Sequence, residues 1–111
     1  MAKRFTKQTD KVVAETILAQ MGGKRFAMMT GAKNFVAGDL SLRFNIPGSL
    51  TKKHINTVIV TLDEAADLYV MEFGKFSKKT MEFTSISKVK GVYCDMLEDI
   101  FETETGLLTH F

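Results

Sequence analysis

An alternation of apolar and polar side chains over residues 39–46 constrains the fold of this chain more than any other feature. The apolar members are Leu40, Leu42, Phe44 and Ile46, and the polar members are Asp39, Ser41, Arg43 and Asn45. A period of two directs the two classes to opposite faces of a β-strand. Pro47 cannot donate to a sheet ladder and Gly48 opens a turn, so the strand should end there. The sequence therefore predicts a strand with one buried face and one exposed face.

Helical spacing of apolar residues occurs near both ends of the chain. The first set follows a capping Thr6 or Thr9, stops at Gly22-Gly23, and consists of Val13, Ile17, Leu18 and Met21. The last set precedes Gly106 and consists of Val92, Tyr93, Met96, Leu97, Ile100 and Phe101. We therefore expect a short amphipathic helix in the first segment and a second helix over residues 92–105.

Four further apolar segments predict strands. Phe26 and Met28 alternate before a turn at Thr30-Gly31, and residues 58–62 and 68–73 form a hairpin around the connection 63–67. Residues 81–86 indicate a fifth, shorter strand. Short neighbouring strands favour antiparallel pairing. The predicted class is α+β: an N-terminal helix, a four- or five-stranded mainly antiparallel sheet, and a C-terminal helix packed on the same sheet face as the first.

The composition is that of an ordinary globular domain, and residues 1–111 should form one unit. Cys94 is the only cysteine, so no internal disulfide can form and a reducing compartment is favoured. The first residues lack the continuous apolar segment of a signal peptide, and the longest apolar runs are too short to cross a bilayer. We expect a cytoplasmic protein with no membrane partner.

Residues suited to catalysis or metal binding are sparse. His54 and His110 lack the spaced carboxylate or cysteine neighbours of a metal site or a nucleophilic dyad, so we expect both at the surface. Cys94 adjoins the anionic Asp95, and a buried, inert thiol is favoured over a nucleophile. Two glycine-lysine segments lack the spacing of a phosphate-binding loop. The sequence predicts neither an enzyme nor a bound metal or cofactor.

Charge is divided between the two halves of the chain. Residues 1–54 contain ten Lys or Arg against three acids, which gives +7, and residues 55–111 contain five Lys against ten acids, which gives −5. The total of +2 therefore hides a dipolar sequence. Such a distribution indicates an acidic partner for the basic half.

Cations and aromatic residues are interleaved in the basic half, as in Lys33-Asn34-Phe35. Proteins that bind single strands use cations for phosphates and aromatic rings for unpaired bases. The candidate phosphate contacts are Lys24, Arg25, Lys33, Arg43, Lys52 and Lys53, and Phe35 is the candidate stacking ring. The competing interpretation is that the rings fill a core, with Arg43 solvated and Phe44 buried on opposite strand faces. The leading hypothesis is a small nucleic-acid-binding protein, with single-stranded DNA favoured.

The predicted last helix is acidic. Its candidate partner-binding residues are Asp95, Glu98, Asp99 and Glu102. Acids near a helix C-terminus face the negative end of the helix dipole, which is unfavourable unless a basic neighbour or a partner offsets it. The offset would come from the basic half of the same chain, a second copy in a homo-oligomer, or another protein, although a plain solvated helix face is the favoured interpretation. The alternative hypothesis is therefore an inhibitor or adaptor that binds a protein partner through this helix.

Three segments carry a family resemblance: Met29–Phe35, Glu72–Lys75, and Gly91–Leu97 continuing to Thr105–Leu107. They resemble a group of small uncharacterised proteins encoded by phages, prophages and other mobile elements. The resemblance covers most of the chain after Gly22, and the group supplies no defined catalytic or binding residues. It implies a protein made in the cytoplasm of an infected or prophage-carrying bacterium. The resemblance also implies a role, either in handling phage DNA or in interfering with host machinery such as a defence complex.

Overall fold

A computed structural model describes residues 7–107, with side-chain positions from Lys11 to Leu107, and confirms the predicted α+β class. The regular elements are α1 Lys7–Met21, α2 Gly23–Thr30, β1 Lys33–Gly38, β2 Ser41–Asn45, β3 Thr57–Asp63, β4 Leu68–Ser77, β5 Glu82–Val92 and α3 Leu97–Thr105. Short 3-10 turns lie at Gly48–Leu50, Lys52–His54 and Cys94–Met96. None of the helices within residues 7–107 is long and apolar enough to span a bilayer.

The five strands form one antiparallel meander in the order β1-β2-β3-β4-β5. Three of the connections are tight hairpin turns. In each, the last residue before the next strand is left-handed: Leu40 has φ 52°, Asp67 has φ 55° and Met81 has φ 58°. The β2–β3 connection is longer and contains two of the 3-10 turns. Consecutive strands are therefore neighbours throughout, and the two sheet faces alternate along the strands except where the β1–β2 and β4–β5 ladders shift register.

The helices pack on one face of the sheet, which we call the helix face. Phe44 on β2 is fully buried there between Phe26 of α2 and Phe101 of α3, with ring centroids 5.4 and 6.2 Å away. Phe26 and Phe101 also meet edge to face at 5.0 Å. Apolar residues of β2, β3 and β4 extend this core, as the alternation predicts. The opposite face, which we call the open face, carries Arg43, and no helix among the described residues covers it.

Helices α2 and α3 end in the same way. Thr30 Oγ1 donates to the Phe26 carbonyl (2.8 Å), and Thr105 Oγ1 donates to the Phe101 carbonyl (2.7 Å). Each hydroxyl also accepts the N–H two residues later, and a left-handed glycine follows each threonine. The buried hydroxyls are therefore satisfied, and both helix ends are locked beneath the aromatic cluster.

The prediction of the first strand is wrong. The segment with Phe26 and Met28 is not a strand but lies in α2, where Phe26 and Thr30 are buried one helical turn apart and Met28 is exposed. The first strand is instead β1, which the sequence reasoning missed. Gly22 precedes α2 and Gly31 follows it, both with a left-handed backbone. The extent of this short helix is therefore determined more by these glycines than by its apolar pattern.

The last helix is shorter than residues 92–105. Val92 closes β5, a 3-10 turn follows, and α3 begins at Leu97. Cys94 lies in that turn and is exposed, so the prediction of a buried thiol is wrong. His54 is exposed as expected, whereas His110 lies outside the described residues. The hairpin connection after β3 comprises residues 64–67, one fewer than predicted.

Candidate functional site

A cleft of about 250 Å³ opens at one end of the open face. We call it the basic cleft, and its lining residues are Lys33, Asn34, Arg43, Asn45, Ile46, Asn56, Phe76 and Lys78. They come from β1, β2, the β2–β3 connection, β4 and the turn after β4. The register explains the convergence, because Lys33 pairs with Asn45 and Asn45 pairs with Thr57, which pairs with Gly74.

Three cations and one aromatic ring line this cleft. The Arg43 guanidinium carbon lies 5.1 Å from the centroid of the Phe76 ring, within the range of a cation–π contact. Lys33 and Lys78 are exposed at the rim, and both Arg43 and Phe76 are half-buried. None of the eight lining residues is acidic. The cleft is therefore suited to an anion, and guanidinium and aromatic groups are both side chains on which planar bases stack.

Asparagine side chains fix the floor of the cleft. Asn56 Oδ1 accepts the backbone N–H of Phe76 (2.8 Å), and its Nδ2 donates to the Phe76 carbonyl (3.2 Å). Asn45 Nδ2 donates to the Thr57 hydroxyl (3.1 Å) and to the Asn56 carbonyl (3.3 Å). Asn34 Nδ2 donates to Asn45 Oδ1 (3.1 Å). These bonds link β1, β2, the β2–β3 connection and β4, so the cleft is preformed.

The open face continues from the cleft toward β5. Phe83 is paired with Phe76 across the β4–β5 ladder, and its ring lies over Gly74, where a Cβ would come within 2.7 Å of it. Beyond these rings a second depression of about 320 Å³ is lined by two lysines, Lys88 and Lys90, together with two acids, Asp63 and Glu72. Of these two depressions, the basic cleft is the one whose lining has cations and no carboxylate.

The structure brings together only part of the predicted nucleic-acid site. Lys33 and Arg43 both line the basic cleft. Phe35 is on the helix face, half-buried with its ring 5.4 Å from that of Phe44, so it does not share a surface with those two cations. Lys24 and Arg25 are exposed on α2, whose Phe26 packs into the helix face, and they too are separate from the cleft.

Lys52 and Lys53 lie in the 3-10 turn Lys52–His54. Lys52 Nζ donates to the Thr103 carbonyl (3.1 Å) near the end of α3, and its aliphatic carbons cover Gly106. The basic neighbour expected at the acidic helix end is thus supplied, in part, by the same chain. Lys53 is exposed and left-handed, with φ 55°.

The acidic residues of the last segment do not form one free surface. Asp95 and Asp99 are exposed. Glu98 and Glu102 are half-buried, and each has an interaction partner within the molecule. Glu98 Oε1 lies against the α1–α2 junction, 3.1 Å from the position that a Cβ at Gly22 would occupy. Two of the four candidate residues therefore have contacts within the molecule.

Six cleft residues were missed from the sequence: Asn34, Asn45, Ile46, Asn56, Phe76 and Lys78. A signal for Asn45 was present, because it shares a strand face with Arg43 in the alternation of residues 39–46. Phe76 and Lys78 belong to the acidic half of the chain, and their approach to Arg43 depends on the pairing of β2, β3 and β4. The sequence predicts the β3–β4 hairpin, but not the register that brings Phe76 and Lys78 to Arg43.

Comparison with protein-family models, with curated proteins and with solved structures found no match. The resemblance to phage-encoded proteins therefore stays a prediction. Within residues 7–107, no three His, Cys, Asp or Glu side chains converge as ligands for a metal ion. The geometry of the basic cleft is thus the main basis for an assignment of function.

Proposed function

We propose that this protein binds single-stranded nucleic acid, with single-stranded DNA favoured, through the open face and with the basic cleft as its centre. The observation that carries the proposal is that Lys33, Arg43 and Lys78 line one cleft, without carboxylates, together with Phe76, whose ring lies against the Arg43 guanidinium. Cations neutralise phosphates, and a guanidinium held on a ring gives an unpaired base a surface for stacking. The role is binding without turnover.

The shape of the site favours a single strand over a duplex. Phe76 and Phe83 lie side by side on a sheet, half-buried and flanked by exposed lysines. Bases must leave a duplex before their faces can stack on such side chains, whereas a single strand presents them directly. In a phage-infected or prophage-carrying bacterium, as the resemblance implies, the protein would meet such strands in the cytoplasm.

Fluorescence anisotropy across a salt series tests the proposal with labelled single-stranded DNA, duplex DNA and RNA. If each of the three cleft cations neutralises one phosphate, the slope of log K against log salt should be about −2, since each neutralised phosphate of a single strand contributes about 0.7. Lys33→Gln, Arg43→Gln and Lys78→Gln should each reduce the slope by about 0.7. Arg43→Lys should keep the slope but weaken binding, because lysine cannot stack in the same way.

Lys24→Gln and Arg25→Gln are matched controls, because they remove the same charges from exposed positions of α2 on the other side of the sheet. They should leave the salt slope unchanged. Equal losses in the control and cleft variants would place the interface elsewhere on the basic half. No binding to any of the three nucleic acids at low salt would refute the proposal.

A further inference from the structure

Asn34 stands in the wall of the basic cleft with an unusual backbone. It has φ 58°, the left-handed conformation that asparagine tolerates better than most residues other than glycine. The β1–β2 ladder shifts register between Lys33 and Val36, and Asn34 lies within that irregularity. Its side chain is exposed in the cleft beside Lys33. The bulge thus places an amide in the lining of the cleft that holds the three cations.

Hydrogen bonds determine which way this amide faces. The Asn56 backbone carbonyl can only accept, so the atom of Asn45 that meets it at 3.3 Å must be the donor Nδ2. The oxygen Oδ1 of Asn45 then faces Asn34 and must receive a donor, which fixes Nδ2 of Asn34 on that side at 3.1 Å. Asn45 is a positioning residue for the Asn34 amide.

One acceptor and one donor of Asn34 are left for a ligand. Among the residues that the structure describes, Asn34 Oδ1 has no hydrogen-bond partner, and only one of the two Nδ2 hydrogens is used by Asn45. A planar amide that offers a C=O beside an N–H is complementary to a base edge with an amino group beside a ring nitrogen. Adenine presents such a pair on two edges, through N6 with N7 and through N6 with N1.

We infer that Asn34 reads an amino-bearing base, adenine before the others, in a single strand whose neighbouring phosphates are held by Lys33, Arg43 and Lys78. The inference rests on the proposed function and adds a base preference to it. The Arg43 guanidinium, stacked on Phe76, supports the plane of the base while the Asn34 amide contacts its edge.

A pair of oligonucleotides isolates this contact. One contains deoxyadenosine, and the other contains deoxynebularine, in which an unsubstituted purine keeps the ring system but lacks the amino group. The protein should bind the deoxyadenosine strand about five- to tenfold more tightly at equal length and salt, the lower end of the discrimination found for bidentate base contacts. Asn34→Gly keeps the left-handed backbone without strain and should bind both strands equally.

Asp67→Gly is the matched control, because it places glycine at another left-handed position, in the β3–β4 turn. It should retain the preference for deoxyadenosine. Equal binding of both strands by the unmodified protein would overturn the base-reading role of Asn34 and leave the proposed function standing. Absence of binding to either strand would overturn both. Displacement of the strand by an equal concentration of free AMP would assign the cleft to a mononucleotide and refute the strand-based inference.

Discussion

Replacement of Phe44 by alanine should be among the most destabilising single changes in this protein. Phe44 is fully buried, and its ring contacts those of Phe26, Phe35 and Phe101 at 5.4, 5.4 and 6.2 Å. Phe→Ala in a core costs about 3–5 kcal/mol. We expect about 4 kcal/mol, the middle of that range, and not its lower end, because three ring contacts are lost and aromatic pairs contribute beyond their buried area.

Urea unfolding followed by far-ultraviolet circular dichroism measures this cost. A domain of this size has a free energy of unfolding of about 5–15 kcal/mol, so Phe44→Ala should remove a large fraction of it. The melting temperature should fall by about 15 °C, at about 4 °C per kcal/mol.

Phe76→Ala is the control, because it removes the same ring from the half-buried side of the sheet. It should cost about 1 kcal/mol, in line with partial burial. A loss below about 2 kcal/mol for Phe44→Ala, or a larger loss for Phe76→Ala, would show that the core does not lie on the helix face.

Three further changes test local features. Gly74→Ala should cost about 1–3 kcal/mol in urea unfolding, because a Cβ there would collide with the Thr84 carbonyl oxygen of β5; an unchanged midpoint would contradict this close approach. Met81→Asn should raise the melting temperature by the equivalent of about 0.5–1 kcal/mol, since asparagine tolerates the left-handed backbone of this exposed residue; a lower value would mean that the Met81 side chain contributes more than its backbone costs. Burial, the largest cause, raises the pKa of Tyr69 above 10.0, so the folded state favours the neutral phenol. The stability from this group is complete below about pH 10 and is lost as the pH rises through the folded pKa. The urea midpoint should therefore fall more steeply above pH 10 than it does in Tyr69→Phe, and parallel curves would refute the linkage.

The parts of the fold that the sequence predicts are those with a long and unambiguous period. The alternation of residues 39–46 correctly assigns Leu42 and Phe44 to the buried face and Arg43 to the exposed face. The predicted first helix has four apolar residues at helical spacing, and it is present in the structure as α1. The hairpin of β3 and β4 is correct in kind, with a turn that is one residue shorter than expected.

The wrong assignments occur where a segment is too short to define a period. Phe26 and Met28 are two residues apart, which fits a strand, yet the buried partner of Phe26 is Thr30, four residues away. Threonine is not counted as apolar in a sequence pattern. Thr30 is nevertheless buried, because its hydroxyl donates to the Phe26 carbonyl. The repeat of Phe, three residues, Thr and Gly at Phe101–Gly106 is a sequence signal that identifies both helix ends.

The candidate site was harder to predict than the fold, because its residues are distant in sequence. Arg43 and Lys33 were identified from the basic half of the chain. Phe76 replaces Phe35 as the ring beside them, because β4 brings it to the open face whereas Phe35 lies on the helix face. Asn56 holds the Phe76 backbone from the β2–β3 connection, a contact set by the register of the sheet.

The division of charge along the sequence does not become a division between two surfaces. Lys52, from the basic half, donates to a carbonyl at the end of the acidic helix α3, which offsets the unfavourable charge there within one molecule. Lys78, from the acidic half, joins Lys33 and Arg43 in the basic cleft. An external partner would therefore add less electrostatic stabilisation at the acidic helix than the sequence indicates. An anion would add more at the cleft, because its lining has three cations, which repel one another, and no carboxylate. This difference is why the open face, and not α3, is the better candidate for the binding surface.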